Sequence, residues 1–130
     1  MRYVTCVRDP TRLRLIPASH ELALLTYRIT RSLPKEEMYG LQSQMRRASV
    51  SVATNIAEGH GRGSDGDFER HLRIASGSLA ELDALSLICR DLEMLPRSDH
   101  DTLREASQRV GRMLTRLTQR VASDRATPRS

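Results

Sequence analysis

Residues 44–62 read QMRRASVSVATNIAEGHGR, and this stretch decides the fold. On a helix, side chains three and four positions apart are neighbours. That spacing aligns Leu41, Met45, Ala48, Val52 and Ile56 as an apolar or small stripe. Beside it runs a polar stripe of Gln44, Arg47, Ser51, Asn55 and Glu58. The glycines that follow break the helix and start a turn. The apolar stripe requires partner helices. The polar stripe requires water or another chain able to satisfy it.

The rest of the chain supplies such partners. With 130 residues it fits one domain. Aromatic residues make up 3% and Trp is absent, so Leu, Ala, Val, Ile and Met must fill the interior, as they do in helical proteins. No apolar run is long enough to span a bilayer, and the first residues lack the apolar core of a secretory signal. Cys6 and Cys89 lie far apart and argue against a disulfide framework. The expectation is a cytoplasmic protein with free thiols and no membrane contact. The net charge is +5, and 20 of the 21 basic residues are Arg, whose planar fork suits phosphate.

Residues 1–17 hold Pro10 and Pro17 and read as a flexible basic arm. Residues 18–122 read as the folded domain. A first helix is expected from Ser19 to Ser32, with Leu22, Leu25, Ile29 and Leu33 buried. Pro34 opens a second helix that runs to Glu58, where Gly40 marks a close backbone approach. A third helix begins near Asp65 or Asp67 and stops before Pro96. It carries one apolar stripe of Phe68, Leu72, Ala75, Leu79, Leu82 and Cys89, and a second of Ile74, Ser78, Glu81, Leu85 and Ile88. Two such stripes make it central. A fourth helix starts at Ser98, capped with Asp101, and buries Val110, Leu114, Leu117 and Val121. Residues 123–130 read as a disordered tail. Short links between four amphipathic helices make this an all-α, antiparallel up-down-up-down four-helix bundle.

At this point the sequence resembles a known bacterial family. The pattern runs through Tyr27, Thr30, Leu33-Pro34, Glu37, Tyr39-Gly40-Leu41, Gln44 to Ala48, Ser51, Asn55 to Gly59, and Arg62. It continues with Phe68, Leu72, Ala75, Gly77-Ser78 and Glu81-Leu82. It is similar to the four-helix proteins first named for the intervening sequences of 23S rRNA genes that encode them. The resemblance implies a homopentameric ring of four-helix subunits. It extends distantly to accessory proteins of diversity-generating retroelements, which bind nucleic acid and a reverse transcriptase. It brings no catalytic motif and no cofactor.

The remaining candidates for chemistry are weak. The turn GHGRG lacks the Lys of a phosphate loop, and Asp65, Asp67 and Glu69 would repel phosphate there. His20, His60, His71 and His100 are scattered without metal-ligand spacing and read as surface or interface residues. Glu58 and Glu81 are the semi-buried carboxylates, expected to pair with Arg46 or Arg47. No catalytic role is expected of either.

Two surfaces are left. In the polar seam, to which Gln44 also belongs, Asn55, Glu58 and Glu81 should tie down the turn between the second and third helices, with Ser51 and Ser78 alongside, while Arg46 or Arg47 reaches outward. On the fourth helix Arg109, Arg112, Arg116 and Arg120 share the outer face. A solvated face is the plainer reading of this row. The functional one, with Arg62 and the basic arm, is backbone-directed RNA or DNA contact, poor at reading sequence because aromatic platforms are nearly absent. The expected function is thus a non-enzymatic oligomeric binding module. The alternative is a protein scaffold, for example for a polymerase such as a reverse transcriptase.

Overall fold

Several amphipathic stripes can be buried together only if their helices close around a common axis. In the computed structural model, which describes residues 10–126, they do so. Helices α1 (Pro10–Thr30), α2 (Leu41–His60), α3 (Asp65–Asp91) and α4 (Arg97–Ala126) follow one another through short links, with no strand among the described residues. α2 packs on α1 and α3, and α4 packs on α3 and back on α1. Side-chain partners give the directions. Arg12 near the start of α1 bonds His60 at the end of α2, and Gln42 near the start of α2 bonds Thr30 at the end of α1. Asn55 meets His71 across α2 and α3, and Arg125 meets Glu69 across α4 and α3. These antiparallel pairs are compatible with the up-down-up-down order.

The core is built at helical spacing from every element. It contains Leu15, Leu22 and Ile29 of α1, with Met45, Val52 and Ile56 of α2. Phe68, Leu72, Leu79 and Leu82 come from α3, and Leu103, Val110, Leu114, Leu117 and Val121 from α4. Cys89 is a free, buried thiol that donates to Met45 Sδ at 3.6 Å.

The first helix begins at Pro10, well before the expected Ser19. Pro10 occupies an opening position, where its missing N–H costs nothing. Pro17 lies inside the helix and does cost a hydrogen bond, about 3 kcal/mol. Against it stand Leu15, fully buried, and Arg12, 2% exposed. One buried Leu stabilises by roughly 1.5–3 kcal/mol, and the Arg12 contacts described below add to it. Residues 10–17 are therefore part of the bundle, and the flexible-arm expectation for 1–9 lies outside the described residues. At the other end α4 continues to Ala126, four residues into the expected tail, and residues 127–130 also fall outside.

The second helix does not start at Pro34. Lys35–Glu37 forms a single 3-10 turn, and Gly40 (φ −106°, ψ −110°) stands just before α2 rather than within it. The close approach of helices is made by Gly59 instead. A Cβ there would lie 2.8 Å from His71 Cβ and 2.9 Å from Phe68 Cδ1. Gly63, at φ 81°, turns the chain, and Ser64 caps α3 by accepting the Asp67 N–H at 3.2 Å. α3 ends earlier than Leu95 because Glu93 takes a left-handed conformation (φ 55°). The amides of Glu93 and Met94 then donate back to Arg90 O (3.0 Å) and Cys89 O (2.9 Å), a Schellman closure. The fourth helix starts at Arg97, so Ser98 lies in its first turn rather than capping it.

The expected second stripe of α3 is only partly buried among the described residues. Leu85 is buried, but Ile74 is 41% and Ile88 46% exposed, and Glu81 is exposed as well.

Candidate interaction surfaces

The seam between α2 and α3 begins with two serines. Ser51 Oγ and Ser78 Oγ lie 2.7 Å apart, one hydroxyl from each helix. One turn along, Asn55 Nδ2 donates to Ser51 O at 2.9 Å and to Ser51 Oγ at 3.2 Å. Its Oδ1 faces His71 Nδ1 at 3.1 Å, and His71 Nε2 lies 3.1 Å from Arg70 Nη2. An arginine can only donate, so Nε2 must accept, and Nδ1 carries the proton that Asn55 accepts. The chain Ser78–Ser51–Asn55–His71–Arg70 thus runs unbroken through an imidazole that is 4% exposed. His71 had read as a surface or interface histidine. Its signal in the sequence was the spacing that puts it beside Phe68 and Leu72 on the buried side of α3.

Gln44, Arg47 and Glu81 do not join this network and are exposed. With Tyr39, Ser43 and the two serines they line a shallow open groove along the same face. Arg46, grouped with Arg47 as a candidate to reach outward, turns inward. Its Nε donates to Thr30 Oγ1 at 2.9 Å, its Nη2 to Tyr27 O at 3.2 Å, and its guanidinium lies 4.6 Å from the Tyr27 ring centroid. It ties α2 to the end of α1. Glu58 does not pair with Arg46 or Arg47 either. It is exposed and bonded to Arg62 Nη2 at 2.6 Å, one turn along, and that bond holds its carboxyl below the usual carboxylate range.

A second polar cluster escaped the sequence reading because it uses residues assigned to the arm. Arg12 Nε donates to His60 Nδ1 at 2.6 Å and its Nη2 to His60 O at 3.0 Å. The guanidinium also stacks 4.2 Å from the Phe68 ring centroid. One side chain thereby holds the start of α1 against the end of α2 and the start of α3. Burial, then the nearby Arg12 charge, push the His60 pKa down. Nearby, Glu69, only 8% exposed, accepts from Arg73 at 2.9 Å and from Arg125 at 3.0 Å. Those bonds, Arg73 first, hold its pKa below the ordinary value.

The arginines of α4 behave differently. Arg109, Arg112, Arg116 and Arg120 are all exposed. Arg109, Arg112 and Arg116 have no ion pair among the described residues. A groove between α1 and α4 brings Arg14 and Arg28 to the same side, with Arg109 on its opposite wall and Glu21 as its acidic member. Its floor is formed by Ala18, Leu22, Leu25 and Val110. Arg62 is not part of this row; it sits at the α2–α3 turn with Glu58. Among the described residues no cluster of His, Cys, Asp or Glu could hold a metal ion, and no helix is long and apolar enough to cross a membrane.

Comparison with known proteins bears on the fold. A crystal structure of a protein of unknown function from Bacteroides thetaiotaomicron, of the S23 ribosomal protein family, superposes with a TM-score of 0.78. The two share 20% identity over 84% of this chain and 98% of that one, a likeness of fold. No curated protein matches the chain. The model of the 23S rRNA-intervening sequence protein family matches residues 11–116, a span that starts in the first turn of α1 and runs into α4. Covering most of the sequence, that match shows that the chain belongs to the family of 23S rRNA-intervening sequence proteins.

Proposed function

We propose that this protein is a non-enzymatic, oligomeric module of the cytoplasm that binds RNA or DNA through the phosphate backbone, using the α1–α4 face. The observation that carries the reading is the row Arg109, Arg112 and Arg116, exposed and without ion pairs among the described residues, with Arg14 and Arg28 across the groove from Arg109. Guanidinium groups not held in ion pairs attract phosphate over a distance and release counterions on contact. Arg120 extends the row. Copies arranged in a ring, five by the family resemblance, would join these rows into a belt.

The α2–α3 face suits the contact between copies. Exposed Ile74 and Ile88 on α3, Leu92 just past its end, and Tyr39, 91% exposed, flank the polar groove of Gln44, Arg47 and Glu81. Apolar area with polar groups to set register is the usual make-up of such an interface. The same observation supports a second reading, in which this face docks another protein, a reverse transcriptase or other polymerase, and nucleic acid is not touched.

The test is binding of generic single-stranded RNA at two salt concentrations, with light scattering on the same sample. Binding at about 50 mM salt that weakens steeply by about 200 mM supports the first reading. No binding at the lower salt overturns it, because electrostatic attraction is strongest there. A monomer at micromolar concentration overturns the ring.

A further inference from the structure

Between α3 and α4 lies a small pocket of ≈ 190 Å³ lined by Asp83, Ser86, Leu87, His100, Arg104 and Gln108. It belongs to neither face described above. At about 30 Å³ per water it holds roughly six waters, the size of one flat heterocycle rather than a whole nucleotide. Its walls are chemically divided. Asp83 presents a carboxylate that is held in place by the Ser107 hydroxyl, which donates to Oδ1. Arg104 is exposed and has no ion pair among the described residues. His100 is 2% exposed, and its buried Nδ1 has no hydrogen-bond partner among the described residues; Asp101 Oδ1, at 3.7 Å, is beyond reach. A buried nitrogen in that state carries a standing cost, and the ring lies in the pocket wall, where a bound group changes its surroundings without touching Nδ1.

A carboxylate beside a fork of donors is selective among the bases. Guanine places two adjacent N–H donors, N1–H and the N2 amine, on one edge, with the acceptors O6 and N7 next to them. The Asp83 carboxylate can accept from the donor pair while Arg104 donates to O6 or N7. Adenine and cytosine set a ring acceptor against the carboxylate. Uracil offers one donor between two carbonyls. Single-stranded RNA can splay out a base and present these edges. Gln108 borders both this pocket and the adjoining strip of Arg112, Thr115 and Arg116. A strand whose phosphates rest on Arg112 and Arg116 therefore passes the pocket mouth. We infer that the Asp83–His100–Arg104 pocket takes one unstacked guanine base from a bound strand. The inference rests on the nucleic-acid reading above and adds a sequence preference to it.

The experiment compares hexauridylate with hexamers carrying a single G or a single A, on the full chain, beside Asp83→Asn and Arg104→Gln. Asparagine can still accept the Ser107 hydroxyl, so the fold is kept. The G hexamer should bind about five- to 150-fold tighter than the A hexamer, the range of one bidentate base contact. Both substitutions should erase that gain while leaving hexauridylate binding in place. A second readout is the His100 ring resonance, which millimolar GMP should shift and AMP should not. If hexauridylate binds but G brings no gain and GMP leaves His100 unmoved, the pocket is overturned and the basic face stands. If no strand binds at low salt yet GMP moves His100, the pocket stands and the nucleic-acid reading fails. A guanine gain that survives Asp83→Asn also overturns the assignment.

Discussion

On the α2–α3 face, Ser51, Ser78, Asn55 and His71 bond to one another, and Glu58 is taken by Arg62. Along the outer side of α4, Arg109, Arg112 and Arg116 stand in solvent without an ion pair among the described residues. Both faces are polar, yet the first holds a closed network beside the exposed Gln44, Arg47 and Glu81, and the second shows no such network among the described residues. Polar groups that satisfy each other fix helix register, because a shift of one turn would orphan several at once. Cations left without partners add nothing to the fold and repel one another. The first arrangement is accounted for by folding alone, and the second is not.

Removing the open charges should therefore affect ligand and spare stability. The triple substitution Arg109→Gln, Arg112→Gln and Arg116→Gln is expected to lower RNA affinity about a hundredfold at ~0.1 M salt and to reduce the logarithmic salt slope by about 2, from roughly 0.7 per lost phosphate contact. Its melting temperature should stay at or slightly above that of the parent. Arg47→Gln on the other face should leave the slope unchanged. An equal loss of slope from both would end the distinction between the faces.

Closing the α2–α3 contact should show the reverse pattern. Gly59→Ala would press a methyl group to within 2.9 Å of both His71 Cβ and Phe68 Cδ1, neither of which can swing aside in the core. A destabilisation of about 1–3 kcal/mol is expected in urea unfolding, with the salt slope of RNA binding intact. Asn55→Ala comes next. It strands the His71 Nδ1 proton and one Ser51 contact, and should lower stability by about 1–2 kcal/mol. A change within a few tenths would mean that water replaces the amide and that the network does not fix register.

Most of the bundle was legible in sequence because its stripes are long and regular. The positions expected to be buried on α2 and α4 are buried apart from the partly covered Leu41, and so is the first stripe of α3. Three features were not legible, each for its own reason. The start of α1 was hidden because a proline rule is local, whereas the burial of Leu15 and the Arg12 contacts are tertiary. The direction taken by Arg46 rather than Arg47 depends on a rotation of one residue around the helix, which a stripe as wide as a helix face does not resolve. The pairing of Asn55 with His71 joins positions 16 apart, and nothing in either helix alone names the other. Ile74 and Ile88 form a legible stripe, but among the described residues no helix covers them fully.

The smallest effect separates the two faces by pH. Arg12 can donate to His60 Nδ1 only while that nitrogen is unprotonated. The folded-state pKa of His60 is lowered, by burial first and then by the Arg12 charge. The unfolded chain therefore takes up this proton first as pH falls below about 6.5. His60 contributes its full share of stability above that value and loses it as pH descends toward the lower folded pKa, with a slope below the one-proton limit of ~1.4 kcal/mol per pH unit. Glu69 also has a lowered pKa, so its contribution is lost only further down, below the usual carboxylate range. His60→Asn keeps an acceptor in place of Nδ1 without the titration. The difference between parent and variant in unfolding free energy should then be flat above pH ~6.5 and change progressively below it, with the parent losing the more. RNA affinity measured over the same interval should not follow that difference, because the latch lies with Phe68 at the α1–α2 end and not in the arginine row. A pH-dependent affinity that vanishes in His60→Asn would couple the two regions and require that the first turn of α1, two residues from Arg14, moves when the latch opens.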